Sequence, residues 1–76
     1  MVTEVDKYVI QKVKERRVKK GLSQSQLAFE IGLASKSFIA MLESGKYGKK
    51  YSVAQLNEIA KILECSPRDF LPKEAL

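Results

Sequence analysis

The sequence predicts a single all-α domain, a compact five-helix bundle, and three observations support this. Apolar residues recur at steps of three and four, the spacing of one face of an α-helix. Serines stand where these periodic stretches begin, as helix N-caps do. No alternation of apolar and polar residues, typical of a β-strand, extends beyond a few positions. The 76 residues have room for one domain, residues 1–76, with one modest core.

The first two predicted helices precede Gly32. Helix one occupies residues 4–20 and ends at Gly21, because glycine adopts the left-handed conformation without steric cost. Its stripe, apolar except for a final arginine, consists of Val9, Ile10, Val13 and Arg17. Helix two begins at Ser23, which can form a capping box with Gln26. Its inward side chains are Leu27, Ala28 and Ile31.

Three further helices are predicted after Gly32. Ser35 is the expected N-cap of helix three, which ends at Gly45. Its core-facing residues are Phe38, Ile39 and Leu42. Ser52 opens helix four with a capping box to Gln55. The apolar stripe of helix four is Val53, Leu56, Ile59, Ala60 and Leu63. A short helix five starts at residues 66–69, with proline where its missing amide does no harm. The residues expected to cover the core from this helix are Phe70 and Leu71.

Composition argues against an enzyme and against a metal site. The chain has no histidine and one cysteine, Cys65, so it cannot form the usual Cys/His zinc site or an internal disulfide. The ordinary general base near neutral pH is also missing, and the serines lie at helix starts rather than beside a base. We therefore expect no catalysis, no metal and no cofactor. Cys65 is expected to serve as a small buried hydrophobic residue.

Charge favours an anionic partner. The formal net charge of +5, from 14 basic and 9 acidic residues, suits nucleic acid or a membrane surface. Seven basic residues lie in the first twenty positions with three acids, and we expect a solvated face there. A second cluster, Lys46, Lys49 and Lys50, has no acid between Ser44 and Tyr51. No apolar run is long enough to span a bilayer or to form a signal peptide, so a cytoplasmic location is expected.

Several short motifs occur together over almost the whole chain. They are Gly-Leu-Ser-Gln at 21–24, Leu-Ala at 27–28, Leu-Glu-Ser-Gly-Lys at 42–46, Ile-Ala at 59–60 and Ser-Pro-Arg-Asp-Phe-Leu at 66–71. In this combination the chain resembles the phage-repressor and Cro-like helix-turn-helix family, also called the XRE family. The resemblance implies a lambda-repressor-like bundle in which helices two and three form the DNA-binding motif and helix three enters the major groove. It also implies a sequence-specific regulator of transcription that binds double-stranded DNA.

Four residues on the outward side of helix three are candidates for reading bases. They are Lys36, Ser37, Ala40 and Met41. Lys36 can donate to the O6 and N7 of guanine, or it can pair with a phosphate. Ser37 can bond several bases and therefore specifies weakly. Met41 corresponds to a base-reading position of the family, where a thioether can touch a thymine methyl, although it can equally fill a gap at the edge of the core.

Six residues are candidates for contacts to the DNA backbone. They are Ser23, Gln24, Ser35, Lys46, Lys49 and Lys50. The first two match a family position that bonds the sugar-phosphate backbone, with helix capping as the alternative. Ser35 stands at a predicted helix start, where free amides favour phosphate. The lysines follow helix three, where the loop of the family lies across a phosphate backbone. Tyr47 and Tyr51 can add hydroxyl contacts to phosphate or can pack on the bundle.

Arg17 and Glu43 match the family pair that forms a largely buried salt bridge between helices one and three, for which we expect a structural role. The chain departs from the family pattern in two places. Residues 33–35 contain one extra residue in the turn before helix three, so base contacts transferred from the family can shift by one position. The loop that ends at Ser52 is about two residues longer than in the family.

The expected partners are double-stranded DNA and a second copy of the chain. One small domain offers few base contacts, so a dimer on a near-palindromic operator, acting as a repressor, is the leading hypothesis. Helix five and residues 73–76 are the expected dimer surface. An antitoxin-type module that caps a toxin and binds its own operator is the alternative. Membrane-surface binding by helix one is disfavoured, because its apolar stripe is needed for the core.

Overall fold

The computed structural model describes residues 1–33, 35 and 37–76. Within them the chain forms four α-helices and one short 3₁₀ helix, without a β-strand. These elements are α1 (Glu4–Lys20), α2 (Gln24–Glu30), α3 (Phe38–Ser44), α4 (Val53–Leu63) and the 3₁₀ helix (Pro67–Phe70). The all-α class is confirmed. The predicted fifth helix is a single 3₁₀ turn of four residues. Ser66 caps its start, and Leu71, which follows it, is already extended.

Reciprocal side-chain caps start α2 and α4 as the sequence predicted. The Ser23 hydroxyl accepts from the Gln26 amide at 3.0 Å, and the Gln26 side chain accepts from the Ser23 amide at 2.7 Å. Ser52 and Gln55 repeat the arrangement at 3.1 and 2.8 Å. Since α2 has only seven residues, its cap and its tertiary contacts must hold it in place.

Helix α1 begins with a capping box that the sequence analysis did not identify. The Thr3 hydroxyl accepts from the Asp6 amide at 3.3 Å, and the Asp6 carboxylate accepts from the Thr3 amide at 2.9 Å. Gly21 ends the helix with a φ of 82°, as predicted.

One hydrophobic core joins all these elements. Its buried residues are Val9, Val13, Leu27, Ala28, Ile39, Leu42, Tyr51, Leu56, Ile59, Ala60, Leu63 and Phe70. Helix α1 contacts α3, α4 and the 3₁₀ helix, while α2 packs on α3 and α4. Predicted core residues that are only half-buried at its edge are Ile10, Ile31 and Phe38. Cys65 is half-buried against the core, and this burial raises the pKa of its thiol.

Two predicted core residues are exposed instead. Val53 is the first residue of α4 and is 84% exposed, and the buried residues of that helix begin one turn later, at Leu56. Leu71 is 48% exposed because it follows the 3₁₀ helix in extended conformation, whereas Phe70 before it is fully buried. Apolar spacing alone therefore predicted too many core residues, at the start of α4 and after the 3₁₀ helix.

Helix α3 starts two residues later than predicted. Its N-cap is Ser37, not Ser35, and the Ser37 side chain makes no capping hydrogen bond. The amide of Phe38 donates to the carbonyl of Ser35 at 3.4 Å. This bond reaches back three residues rather than four, so the backbone forms a turn immediately before the first α-helical residue. Of residues 33–35, where the sequence predicts one extra residue in the turn, Ala34 lies outside the described residues, as does Lys36.

Candidate nucleic-acid interface

A buried ion pair connects helices α1 and α3 behind the candidate interface. Nε of Arg17 donates to Oε2 of Glu43 and Nη2 donates to Oε1, both at 3.0 Å. The two side chains are only 9% and 3% exposed. The remaining nitrogen, Nη1, donates to the carbonyl of Leu22 at 2.7 Å. The guanidinium therefore fixes the end of α1, the entry to α2 and the last turn of α3 relative to one another.

Gln24 belongs to the same network. Its side-chain amide donates to Oε1 of Glu43 at 2.8 Å, and the residue is half-buried. The Glu43 carboxylate thus accepts three hydrogen bonds, two from Arg17 and one from Gln24. Because one amide hydrogen of Gln24 is used in this way, the predicted contact with the DNA backbone would have to use the second one. Ser23 beside it is exposed and makes its capping bonds.

Tyr51 packs in the bundle, which was one of the two alternatives for it. Its ring is buried, and its hydroxyl has no hydrogen-bond partner among the described residues. Burial raises the pKa of this hydroxyl well above its usual value, the Glu43 carboxylate raises it further, and Arg17 opposes both effects. Tyr51 therefore anchors the end of the loop that follows α3, whereas Tyr47 within that loop is exposed.

A row of short polar and apolar side chains marks the start of α3. The hydroxyls of Ser35 and Ser37 lie 2.9 Å apart, and the Ser37 hydroxyl donates to the sulfur of Met41 at 3.8 Å. Both serines are exposed, while Ala40 and Met41 are half-buried. We call Ser35, Ser37, Ala40 and Met41 the α3 row. The fourth predicted base-reading residue, Lys36, lies outside the described residues.

The lysine loop, residues 46–50, follows α3 directly. All three of its lysines are exposed. Lys50 lies 3.8 Å from the Asp6 carboxylate of α1, and Nζ of Lys49 lies 5.9 Å from the centre of the Phe38 ring. In the described part of the chain, Lys46 and Lys49 have no carboxylate within 4.0 Å. These two ammonium groups are therefore available to an external anion.

The basic residues of α1 differ from the lysine loop, because most of them have acidic neighbours. Their ion pairs are Lys7–Glu4, Lys12–Glu15, Arg16–Asp69, Arg17–Glu43 and Lys20–Glu64. All but the Arg17 pair involve partly exposed side chains and are worth little each. Among the described residues, Lys14 and Lys19 of α1 are exposed without a carboxylate within 4.0 Å, as are Lys46 and Lys49. The last two differ in that they lie in one short loop that follows α3.

Asp6 is a residue of this region that the sequence analysis missed. Hydrogen bonds from the Thr3 backbone and hydroxyl lower the pKa of its carboxyl, and Lys50 adds to the effect. The Thr-x-x-Asp spacing at residues 3–6 is a capping signal that could have identified it. Its contact with the lysine loop has no local sequence signal, because the two residues are far apart in the chain.

Comparison with known families identifies the class of this protein. A helix-turn-helix family model matches residues 13–70. The chain therefore belongs to the helix-turn-helix family, of the XRE type, as its motifs predicted. Members of this family bind DNA, and the chain is a DNA-binding protein of the class that regulates transcription. Comparison with curated protein sequences gave no match.

Solved structures of regulators are similar to this one. The restriction-modification controller protein C.AhdI from Aeromonas hydrophila shares 32% identity at a TM-score of 0.73, with 90% of this chain and 97% of that chain covered. A hypothetical transcription factor, NHTF from Neisseria, shares 20% identity at a TM-score of 0.77, with 91% and 76% covered. A chain of the SinR protein/SinI protein complex shares 28% identity at a TM-score of 0.70, with 86% and 61% covered.

An enzyme also contains this fold. Hydroxypropylphosphonic acid epoxidase from S. wedmorenis shares 24% identity at a TM-score of 0.78, and the match covers 96% of this chain but only 38% of the epoxidase chain. At this identity and coverage the likeness shows the fold alone. Among the described residues, no three potential ligands from His, Cys, Asp or Glu are grouped to hold a metal ion. No described helix is both long and apolar enough to cross a membrane.

Proposed function

We propose that the protein is a sequence-specific regulator that represses transcription by occupying its operator as a dimer. The observation that carries the proposal is the α3 row placed directly before the lysine loop. Base edges can be read by the row, and phosphates can be held by the loop, so one short segment supplies both kinds of contact.

The chemistry of each part supports this division. Ser35 and Ser37 present hydroxyls that can donate or accept, while Ala40 and Met41 present apolar atoms suited to a thymine methyl. In the lysine loop, the exposed lysines suit phosphate, and Lys46 and Lys49 have no described carboxylate within 4.0 Å. Phosphate contacts supply affinity and register without reading sequence. We keep Lys36 as a proposed base-reading residue, with phosphate pairing as its alternative role.

The proposed dimer surface lies at the end of the chain. Leu71 and Leu76 are 48% and 70% exposed. Leu71 also lines a cavity of about 500 Å³ together with Tyr8 and Pro72. The rest of its lining is charged and consists of Lys12, Arg68, Asp69 and Lys73. We infer that a second copy covers these side chains, so that the dimer carries two α3 rows. Sedimentation of Leu71→Asp should show a lower dimer fraction than the wild type, and an unchanged fraction would remove this surface from the proposal.

Binding measurements on paired DNA duplexes test the function. One duplex carries the sequence that the protein selects from random DNA, and the other is its shuffled version. The double variant of Lys49→Ala and Lys50→Ala should bind both duplexes more weakly by the same factor and reduce the salt slope by about 1.8. The matched control replaces Lys14 and Lys19, which are exposed on α1. This control removes the same charge and should change the slope less.

The variant Lys36→Ala tests base reading in the same assay. Its expected effect is to narrow the affinity gap between selected and shuffled duplexes, by about 1 to 3 kcal/mol if the lysine bonds guanine. A phosphate role would instead lower both affinities equally. Equal binding of the wild type to every duplex would contradict the sequence-specific function.

An exposed aromatic residue favours the protein-interaction alternative as a second candidate. Phe29 on α2 is 73% exposed and lines a shallow cavity of about 200 Å³ with Ser25, Gln26 and Glu30. A similar chain occurs in the SinR protein/SinI protein complex. A toxin or other partner should then co-purify in fixed stoichiometry with the wild type and be lost with Phe29→Ser. Purification without a partner from its native host, with full DNA binding, would speak against this candidate.

A further inference from the structure

A cavity of about 200 Å³ lies beside the lysine loop, between the N-terminal half of α1 and the end of α3. Its lining is partly apolar, from Val2, Ile10 and Leu42. The polar part comes from Lys7 and Gln11 of α1, from Glu43 and Gly45 at the end of α3, and from Lys49 of the lysine loop. Two ammonium groups, one amide and the Glu43 carboxylate therefore border the same small space.

The negative charge on this lining is already compensated. The Glu43 carboxylate is held by the bidentate Arg17 contact and by Gln24. Lys49 has no carboxylate within 4.0 Å among the described residues. Lys7 has one, at 3.4 Å in an exposed pair with Glu4, a type of pair that contributes at most about 1 kcal/mol. The uncompensated charge on the lining of the cavity is therefore positive, which favours an anionic ligand.

An ion pair connects the lysine loop with the first turn of α1. Lys50 lies 3.8 Å from the Asp6 carboxylate, which the Thr3 amide and hydroxyl hold at 2.9 and 2.8 Å. The loop that is proposed to contact phosphate therefore continues into the first turns of α1 as one surface. These turns precede residue 13, where the match to the helix-turn-helix family model begins.

We propose that this cavity binds one phosphodiester of the DNA backbone, held in part by α1 residues that precede the match to the helix-turn-helix family model. Lys7 and Lys49 supply positive charge. Gln11 supplies an amide hydrogen. Its NH₂ group donates one hydrogen bond, to exposed Glu15 at 3.3 Å, and has a second hydrogen for the phosphate. The inference rests on the DNA-binding function proposed above. It extends the backbone contact from the lysine loop onto α1 and fixes the register of the protein on the duplex.

Salt dependence tests the charge of the contact. Lys7→Ala should reduce the slope of log affinity against log salt by about 0.9 on selected and shuffled duplexes alike. The fourfold rise from 50 to 200 mM salt, raised to the exponent of about 0.9, is a factor of about 3.5. Over this range the wild type should therefore lose about 3.5-fold more affinity than Lys7→Ala. The control Lys14→Ala removes one exposed α1 lysine away from the cavity and should leave the slope near that of the wild type. Gln11→Ala should weaken binding without changing the slope, because the amide carries no charge.

A scan of the duplex locates the contact. Each phosphate of the selected duplex is replaced in turn by one neutral methylphosphonate. Circular dichroism checks that each protein variant is folded. At one position the substitution should weaken the wild type and Lys14→Ala but not Lys7→Ala. Identical scans for Lys7→Ala and Lys14→Ala, with identical slopes, would overturn the inference while leaving the proposed function intact. A wild type that binds no duplex would overturn the proposed function itself.

Discussion

The substitution Arg17→Ala is the sharpest perturbation of the scaffold behind the interface. It removes the two bonds to Glu43 and the bond to the Leu22 carbonyl, at 3.0, 3.0 and 2.7 Å. Only the Gln24 amide then still faces the Glu43 carboxylate, which is 3% exposed. A buried charge is left without its counter-charge.

The expected cost is large for a domain of this size. Removing one partner of a buried ion pair costs about 3 to 5 kcal/mol. A chain of 76 residues has a total unfolding free energy of about 4 to 11 kcal/mol, at roughly 0.05 to 0.15 kcal/mol per residue. A loss of 3 kcal/mol alone should lower the melting temperature by about 12 °C or more. Arg17→Ala is therefore expected to be partly unfolded near 37 °C.

Urea and thermal unfolding followed by circular dichroism measure the effect. Arg16→Ala is the matched control, because Arg16 makes a 3.7 Å pair with Asp69 whose side chains are 43% and 38% exposed. This control should cost less than about 1 kcal/mol. If Arg17→Ala is as stable as Arg16→Ala, the assigned structural role is wrong.

A double variant separates the ion pair from simple packing. Replacing Arg17 by Met together with Glu43 by Leu removes both charges and keeps apolar volume. Buried pairs replaced in this way often lose little stability. The double variant should be more stable than Arg17→Ala, whereas equal or lower stability would mean that the lost bonds to Leu22 and Gln24 dominate.

Three further predictions concern stability. Tyr51→Phe removes a buried hydroxyl that has no partner in the described chain, so urea unfolding should show equal or greater stability, and a loss above about 1 kcal/mol would contradict the burial account. Ser52→Ala removes the cap of α4 and should cost about 1 kcal/mol in thermal unfolding, with Ser52→Thr restoring most of it. Asp6→Asn tests pH dependence. The pKa of Asp6 is lowered from its ordinary value of 3.8, so the ionised carboxylate stabilises the fold above that pH and the benefit is lost as pH falls through the lowered pKa. The stability gap between wild type and Asp6→Asn should therefore be widest near neutral pH and should close in acid, whereas a gap that does not change with pH would contradict this role.

Local signals in the sequence were sufficient for most helix starts and ends. The serine caps of α2 and α4 act over three residues, and Gly21 ends α1 by its own backbone preference. Such features depend on neighbours in the chain and can be read directly. The start of α3 was predicted wrongly, because two serines stand two residues apart there and the spacing alone did not show which one precedes the helix.

Contacts between distant segments could not be derived from spacing. The Arg17–Glu43 pair was expected only through the family resemblance, and its bonds to Leu22 and Gln24 came from the structure. The contact between Asp6 and the lysine loop had no signal of either kind. The three lysines that the sequence groups between Ser44 and Tyr51 are all exposed, but the structure places Lys50 beside Asp6, which their spacing in the sequence did not show. The DNA contacts themselves stay predictions.

Selection of bound duplexes from a random DNA pool tests the central claim most directly. The wild-type protein should enrich one near-palindromic sequence whose half-sites lie about 34 Å, or one helical turn, apart. The α3 row would then read each half-site from one protomer, with the lysine loop on the adjoining phosphates. Recovery of an unbiased pool after repeated rounds, with or without measurable binding, would contradict sequence-specific recognition.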